Sequence, residues 1–182
     1  MQKVWIHLAP LLAMLIVAAV IDARQRRIPN WLTVAMMLCG LAQSFTASHL
    51  AGPTAASLGL LAGLALMLGQ FALGGLGGGD VKLLMGVGTW VGPLPLLMIF
   101  MAASVAGLII VLAQACWQGR MAALLRNSSV IAVNLAHLRE IGVEHVSATG
   151  ASCRSIDKPL PYAVVVLIGT MFVAAGPWFF GG

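Results

Sequence analysis

Charge is what this chain has least of. Of its 182 residues only 8% are Asp, Glu, Lys or Arg, and the acids number five: Asp22, Asp80, Glu140, Glu144 and Asp157. Together with 60% hydrophobic residues and a mean hydropathy of +1.00, that scarcity excludes a soluble core and reads as an integral membrane protein. Cysteine is sparse too. Cys39, Cys116 and Cys153 stand far apart with no Cys-x-x-Cys pair, which excludes a disulfide framework and a structural zinc site and leaves inert thiols. His7, His49, His137 and His145 also lack ligand spacing, so no metal and no cofactor is expected. The net charge of +5 is spread without a basic, aromatic-interleaved patch, which argues against a nucleic-acid partner and for the anionic headgroups of a lipid bilayer.

What is abundant is long apolar sequence. Runs suited to crossing a bilayer, which takes roughly 17 to 25 residues, lie at about 4–21, 31–50, 54–73, 94–116 and 159–180, with a shorter one at 81–92. Gly92, Pro93 and Pro95 either kink one long helix over 81–116 or separate two. Charge decides between these. With two crossings, Arg24, Arg26, Arg27, Lys82, Arg120, Arg126, Arg139, Arg154 and Lys158 share one side and only Lys3 is opposite. A single crossing would move the 117–158 loop, with five of those nine, to the other face and break the positive-inside bias. The expectation is therefore one all-α membrane domain over 1–182, with six transmembrane helices, both termini outside and the basic loops in the cytoplasm. A signal peptide over the first run is the weaker alternative, because three arginines follow its apolar core and resist translocation. In the loop 117–158, Met121, Leu124, Leu125, Ile131, Leu135 and Leu138 recur at helical spacing, which predicts an amphipathic cytoplasmic helix before the last span, with Glu140 and Glu144 on its solvated face.

Asp22 and Asp80 are the unusual acids. One ends the first span and the other begins the fourth, so both stand at the cytoplasmic edge of the membrane. Ionisable groups near hydrocarbon cost about 2.5 to 3.5 kcal/mol at mid-bilayer and less at the edge, which makes them functional candidates. Asp80 closes the run "GGLGGGD", residues 74–80. Gly77, Gly78 and Gly79 permit positive φ and bare the backbone for another chain, with Asp80 expected as the N-cap of the helix that follows. Two carboxylates meeting in a low-dielectric pocket share a proton, so one takes a proton from water while the other polarises a scissile carbonyl. Helix ends favour the anion at Asp80 and the protonated acid at Asp22, while Arg24, Arg26, Arg27 and Lys82 lower both and the pair titrates as a unit.

These residues carry a family resemblance. Gly77-Gly78-Gly79-Asp80 followed by "VKLL" resembles the Gly-x-Gly-Asp motif of the type IV prepilin peptidases, and "DARQRRIPN", residues 22–30, resembles their other aspartate motif. "KPLPYAVVV", residues 158–166, is similar to the proline-containing start of that family's last span. The resemblance covers roughly 1–115 and 158–180. It implies a membrane-embedded aspartic endopeptidase that removes the short basic leader from pilin-like or pseudopilin precursors at the cytoplasmic face of the bacterial inner membrane, cutting after a glycine just before the substrate's hydrophobic helix. Asp22 and Asp80 would be the catalytic pair, Gly77 to Gly79 would shape the loop at the scissile bond, and Lys82, Pro29 and Asn30 would be supports. Larger members that also N-methylate their product carry a Cys-x-x-Cys insert between the first two spans. Here only residues 22–30 join those spans, which implies no methyltransferase activity and a likeness to the small Tad (Flp pilus) branch, with archaeal preflagellin peptidases as a related alternative.

Rival readings are an intramembrane protease of the presenilin kind, a transporter or proton pathway using the two aspartates as relay groups, and a membrane scaffold. Against the first, Asp22 follows Ile21 instead of a tyrosine and no Pro-Ala-Leu occurs. Against the second, no paired broken helices or inverted repeat is visible, and both acids fall on one side of the membrane. For the third, Gly59 and Gly63 form a GxxxG that serves packing within the chain, or between copies in a homo-oligomer. Asp157 is expected to pair with Arg154 or Lys158 at the interface.

Overall fold

The computed structural model describes residues 2–46, 52–72, 77–119, 121–122, 126 and 161–176, with no side-chain detail for 2–7 or 72. Among the described residues there is no strand, and six helices are bounded: α1 (Gln2–Gln25), α2 (Asn30–Ser44), α3 (Pro53–Ala72), α4 (Gly78–Val91), α5 (Pro93–Trp117) and α6 (Tyr162–Ala175). Of these, the segments Leu8–Gln25, Pro53–Phe71 and Pro93–Trp117 are long and apolar enough to cross a membrane, and α6 is a shorter apolar helix. The chain is thus a helical membrane protein. The amphipathic helix expected within 117–158, the Asp157 ion pair, Cys153, His49, His137 and His145 all lie outside the described residues.

Helix α4 is the hub. Val81, Leu83, Leu84 and everything from Gly86 to Val91 are buried, the all-round burial of a helix enclosed by others. It packs most extensively on α3 and α2, while α6 packs against α5 and α1. Small residues make these approaches close. A side chain at Gly59 would run into the backbone of Gly88, and one at Gly63 would come within 2.9 Å of Leu84 and Met85 backbone atoms. The GxxxG of α3 therefore serves packing within the chain, the first of the two uses its spacing allows. On the other side of α4, Gly86 faces Met36 and the Trp90 indole Nε1–H donates to the Met36 carbonyl at 2.9 Å. Gly169 of α6 lets that helix lie against Ile99 and Ala103 of α5.

Residues 81–116 form two helices and not one kinked helix. Gly92 has φ 80° and ψ −179°, backbone essentially open only to glycine, and Pro93 at the first position of α5 lacks the N–H that continuation would need. Leu94, Leu97, Met101, Val105, Leu108 and Ile109 remain exposed on α5, an apolar surface suited to lipid.

Candidate active site

The C-terminal end of α1 meets the N-terminal ends of α2, α4 and α6, and each joint has a local cause. Helix α1 stops because Arg26 adopts φ 53° and donates its N–H to the Asp22 carbonyl at 2.8 Å, a left-handed cap that glycine usually supplies. One turn before that stop, the Asp22 side chain is buried, with 6% of its surface exposed. Its Oδ2 accepts the backbone N–H of Ala163 at 3.0 Å.

That donor is available because of how α6 begins. Pro161 is the N-cap, in extended backbone with no capping side chain, so the early N–H groups of α6 have no partner within their own helix. Asp22 supplies the missing acceptor from a position 141 residues away in sequence.

Asp80 sits differently from the expectation. The N-cap of α4 is Gly77, not Asp80, and Asp80 is the third helical residue, where its Oδ2 accepts the Gly77 N–H at 3.2 Å. A carboxylate three residues in, reaching back to the cap, is one half of a capping box, the other half being impossible for glycine. Gly78 and Gly79 belong to the first turn of α4, and Gly77 has φ −77°, so this stretch makes no use of the positive φ that its glycines permit. Their use is the missing side chain. A Cβ on Gly79 would lie 3.2 Å from Ile28 Cβ and 3.4 Å from the Ile28 carbonyl, so the short connection between α1 and α2 rests directly on α4 there.

The two acids share one electrostatic neighbourhood. The charge of Asp22 acts on Asp80, whose Oδ2 is held by the Gly77 N–H. Asp80 in turn acts on Tyr162, the residue before the donor to Asp22 and the only tyrosine in the chain. The Tyr162 hydroxyl donates to Met67 Sδ of α3 at 3.8 Å, a weak acceptor.

The expected supports are present as a brace. Lys82 Nζ donates to Asn30 Oδ1 at 3.0 Å, joining α4 to the start of α2. Pro29 is the N-cap of α2, and its carbonyl accepts from Leu32 and Thr33. Arg24, Arg26 and Arg27 are exposed. A groove of about 870 Å³ between α5 and α6 is lined by apolar residues such as Leu97, Met101, Val105, Ile168 and Phe172. Among the described residues it holds no acid.

The last helix was expected, as the span at about 159–180, but its part in the site was not. Ala163 contributes a backbone group, which leaves no residue-type signature, and the only hint was the proline-rich "KPLPY" at 158–162. Chemically, the arrangement offers two carboxylates from different helices, each with one oxygen held by a backbone N–H at a helix N-terminus.

Residues 9–112 match the family model of the type IV leader peptidase family. That match covers more than half of the chain, and the chain belongs to this family. It includes both aspartates, Gly77 to Gly79, Lys82, Pro29 and Asn30, and it ends before α6. No curated protein and no solved structure matches the chain.

Proposed function

We propose that this member of the type IV leader peptidase family is an aspartic endopeptidase that removes the short basic leader of Flp/Tad-type prepilins at the cytoplasmic face of the bacterial inner membrane, with Asp22 and Asp80 as its catalytic pair. Family membership supports the peptidase and its class of substrate. The observation that carries the catalytic assignment is the meeting of the only two acids among the described residues at one helix junction, where the charge of Asp22 acts on Asp80. Carboxylates this poor in number and gathered at one place in a membrane protein have no structural need to be together, since like charges repel.

The pair holds one proton between its two carboxyls. Asp22, whose Oδ2 accepts the Ala163 N–H at the N-terminus of α6, acts as the base, and Asp80 carries that proton. This reverses the division expected from α1 and α4 alone, because the N-terminus of α6 also acts on Asp22. Water attacks the scissile carbonyl carbon and gives a proton to Asp22 while Asp80 protonates the carbonyl oxygen, forming a gem-diol. The C–N bond then breaks as Asp22 returns its proton to the leaving nitrogen. Asp80 recovers a proton from the diol as the new carboxyl group forms. Gly77 and Gly78 are exposed and give an extended substrate strand a backbone edge free of side chains. Lys82, Asn30 and Pro29 hold α4 and α2 in register beneath it.

In the six-span arrangement, α1 to α6 all cross the membrane with both termini periplasmic. Helices α2, α4 and α6 have 15, 14 and 14 described residues. At about 1.5 Å per residue, 14 residues span roughly 21 Å, less than the hydrocarbon thickness of about 30 Å. The junction of helix ends therefore sits below the membrane surface, where a substrate's leader meets its hydrophobic helix. The short link between α1 and α2 leaves no room for a Cys-x-x-Cys insert, so the enzyme cleaves without N-methylating.

Co-expression with a Tad-type prepilin tests the reading. Asp22→Asn and Asp80→Asn should each leave the precursor at full length while accumulating in the membrane like the parent protein. Processing at the parent's rate by either variant sinks the assignment.

A further inference from the structure

We propose that the first turn of α6 is the positioning element for Asp22, and that the lack of a capping side chain at Pro161 is what reserves the Ala163 N–H for it. The inference rests on the peptidase reading above and deepens it by adding a third arm to the site.

A helix begins with N–H groups that have no partner in their own helix, and a Ser, Thr, Asp or Asn at the N-cap ordinarily binds the N–H of the second or third residue. Here Tyr162 is the first residue of α6, Ala163 the second and Pro161 the cap. Proline has no side-chain acceptor, so the Ala163 N–H would be an orphan in a buried place. Asp22 occupies it at 3.0 Å, with both partners enclosed: Asp22 is 6% exposed and Ala163 0%. The carboxylate of α1 thus caps α6 in trans. Asp80 acts at its own helix in a different way, its Oδ2 accepting the Gly77 N–H as the third-residue half of a capping box. Each acid thus uses one oxygen on a backbone N–H at a helix N-terminus and keeps its other oxygen for substrate and water.

The consequence is that α6 fixes where the Asp22 carboxylate stands relative to Asp80. Helix α6 is anchored independently of that bond, since Gly169 seats it on Ile99 and Ala103 of α5, and Val166 and Val173 are buried. A rigid donor on a packed helix is what a base needs, because a misplacement of about 1 Å in a catalytic group costs as much as 10²-fold in rate. The packing also makes Ala163 a place for a small side chain, since nothing of it is exposed.

The test gives α6 a cap of its own. Pro161→Ser supplies a hydroxyl that competes for the Ala163 N–H, a change that favours the helix while releasing Asp22. The expected result is a kcat for prepilin cleavage about 10- to 100-fold lower, a KM within about threefold of the parent, and a thermal midpoint in detergent that does not fall. Pro161→Ala, which removes the proline without adding an acceptor, should keep kcat within about threefold. Ala163→Pro deletes the donor itself. The first turn of a helix accepts proline, and α5 already carries Pro93 and Pro95 in its own first turn, so this variant should insert and show the same loss in kcat, with melting in detergent separating any crowding by the larger ring at this buried position. Parent-like kcat in both Pro161→Ser and Ala163→Pro overturns the inference, as does an equal loss in Pro161→Ala and Pro161→Ser. Asp22→Asn and Asp80→Asn run alongside separate the two levels. If those remain active, the catalytic pair is wrong. If they are dead while the α6 variants match the parent, only the positioning role is wrong.

Discussion

A methyl group at position 79 is the smallest change that should disturb the site without touching an acid. The Cβ of Gly79→Ala would stand 3.2 Å from Ile28 Cβ, short of the roughly 3.5 to 4.0 Å at which carbon atoms pack best. Ile28 is buried and lies in the four-residue link between α1 and α2, so it gives way only by moving the link and, with it, the end of α1 that carries Asp22. Overpacking of this kind costs about 1 to 3 kcal/mol. Exchanging glycine for alanine within a helix returns about 0.5 to 1 kcal/mol. The net cost is about 0 to 2.5 kcal/mol, so Gly79→Ala should lower its thermal midpoint modestly while the acids shift by a few tenths of an ångström. A loss of about tenfold in kcat is expected, given that 1 Å is worth up to about 10², and Gly79→Val, with two further methyls, should lose about 100-fold or more. The neighbours serve as controls. Among the described residues a Cβ on Gly77 meets only Asp80 Oδ2 at 3.5 Å and one on Gly78 only Phe71 at 3.8 Å, so alanine at either position should disturb the fold less than at 79. Valine at Gly77 should act on KM through the substrate edge and not on kcat. The assay is prepilin cleavage by equal amounts of membrane-inserted enzyme, with melting in detergent measured in parallel. Parent-like cleavage by Gly79→Val, or equal losses in kcat at 77, 78 and 79, would refute the reasoning.

Further outcomes follow from the same contacts. Gly59→Ala would drive a methyl into the Gly88 backbone and force α3 away from α4, so it should lower the melting temperature by an amount matching about 1 to 3 kcal/mol or more. Asn30→Ala removes the acceptor of an exposed Lys82 hydrogen bond at 3.0 Å, which is worth about 0.5 to 1.5 kcal/mol, so activity should drop only a few-fold and Lys82→Met should match it.

Much of the site was legible because its residues are costly where they stand. In a chain with five acids, positive-inside counting led to the expectation that Asp22 and Asp80 share one side, and the structure brings them within electrostatic reach. Gly92 and Pro93 allowed a kink or a break, charge counting chose the break, and a φ of 80° with a proline following it makes that break. Local detail was less legible. Asp80 looked like an N-cap because aspartate favours that position, but three glycines in a row let the helix start earlier, at Gly78, and moved the acid to the third position. The positive φ allowed at 77–79 went unused for the same reason. The contribution of α6 was hidden because a backbone N–H at residue 163 meeting a carboxylate at residue 22 depends on tertiary packing alone, with nothing periodic in the sequence to announce it.

The central claim is a two-aspartate peptidase, and purified protein in liposomes with a full-length Flp-type prepilin tests it most directly. Mass spectrometry of the product should show cleavage after the glycine that precedes the substrate's hydrophobic helix, with no added methyl group, and Asp22→Asn and Asp80→Asn should each abolish it in a protein that melts like the parent. Cleavage that persists in either variant, or an intact prepilin after incubation with the parent enzyme, would contradict the account.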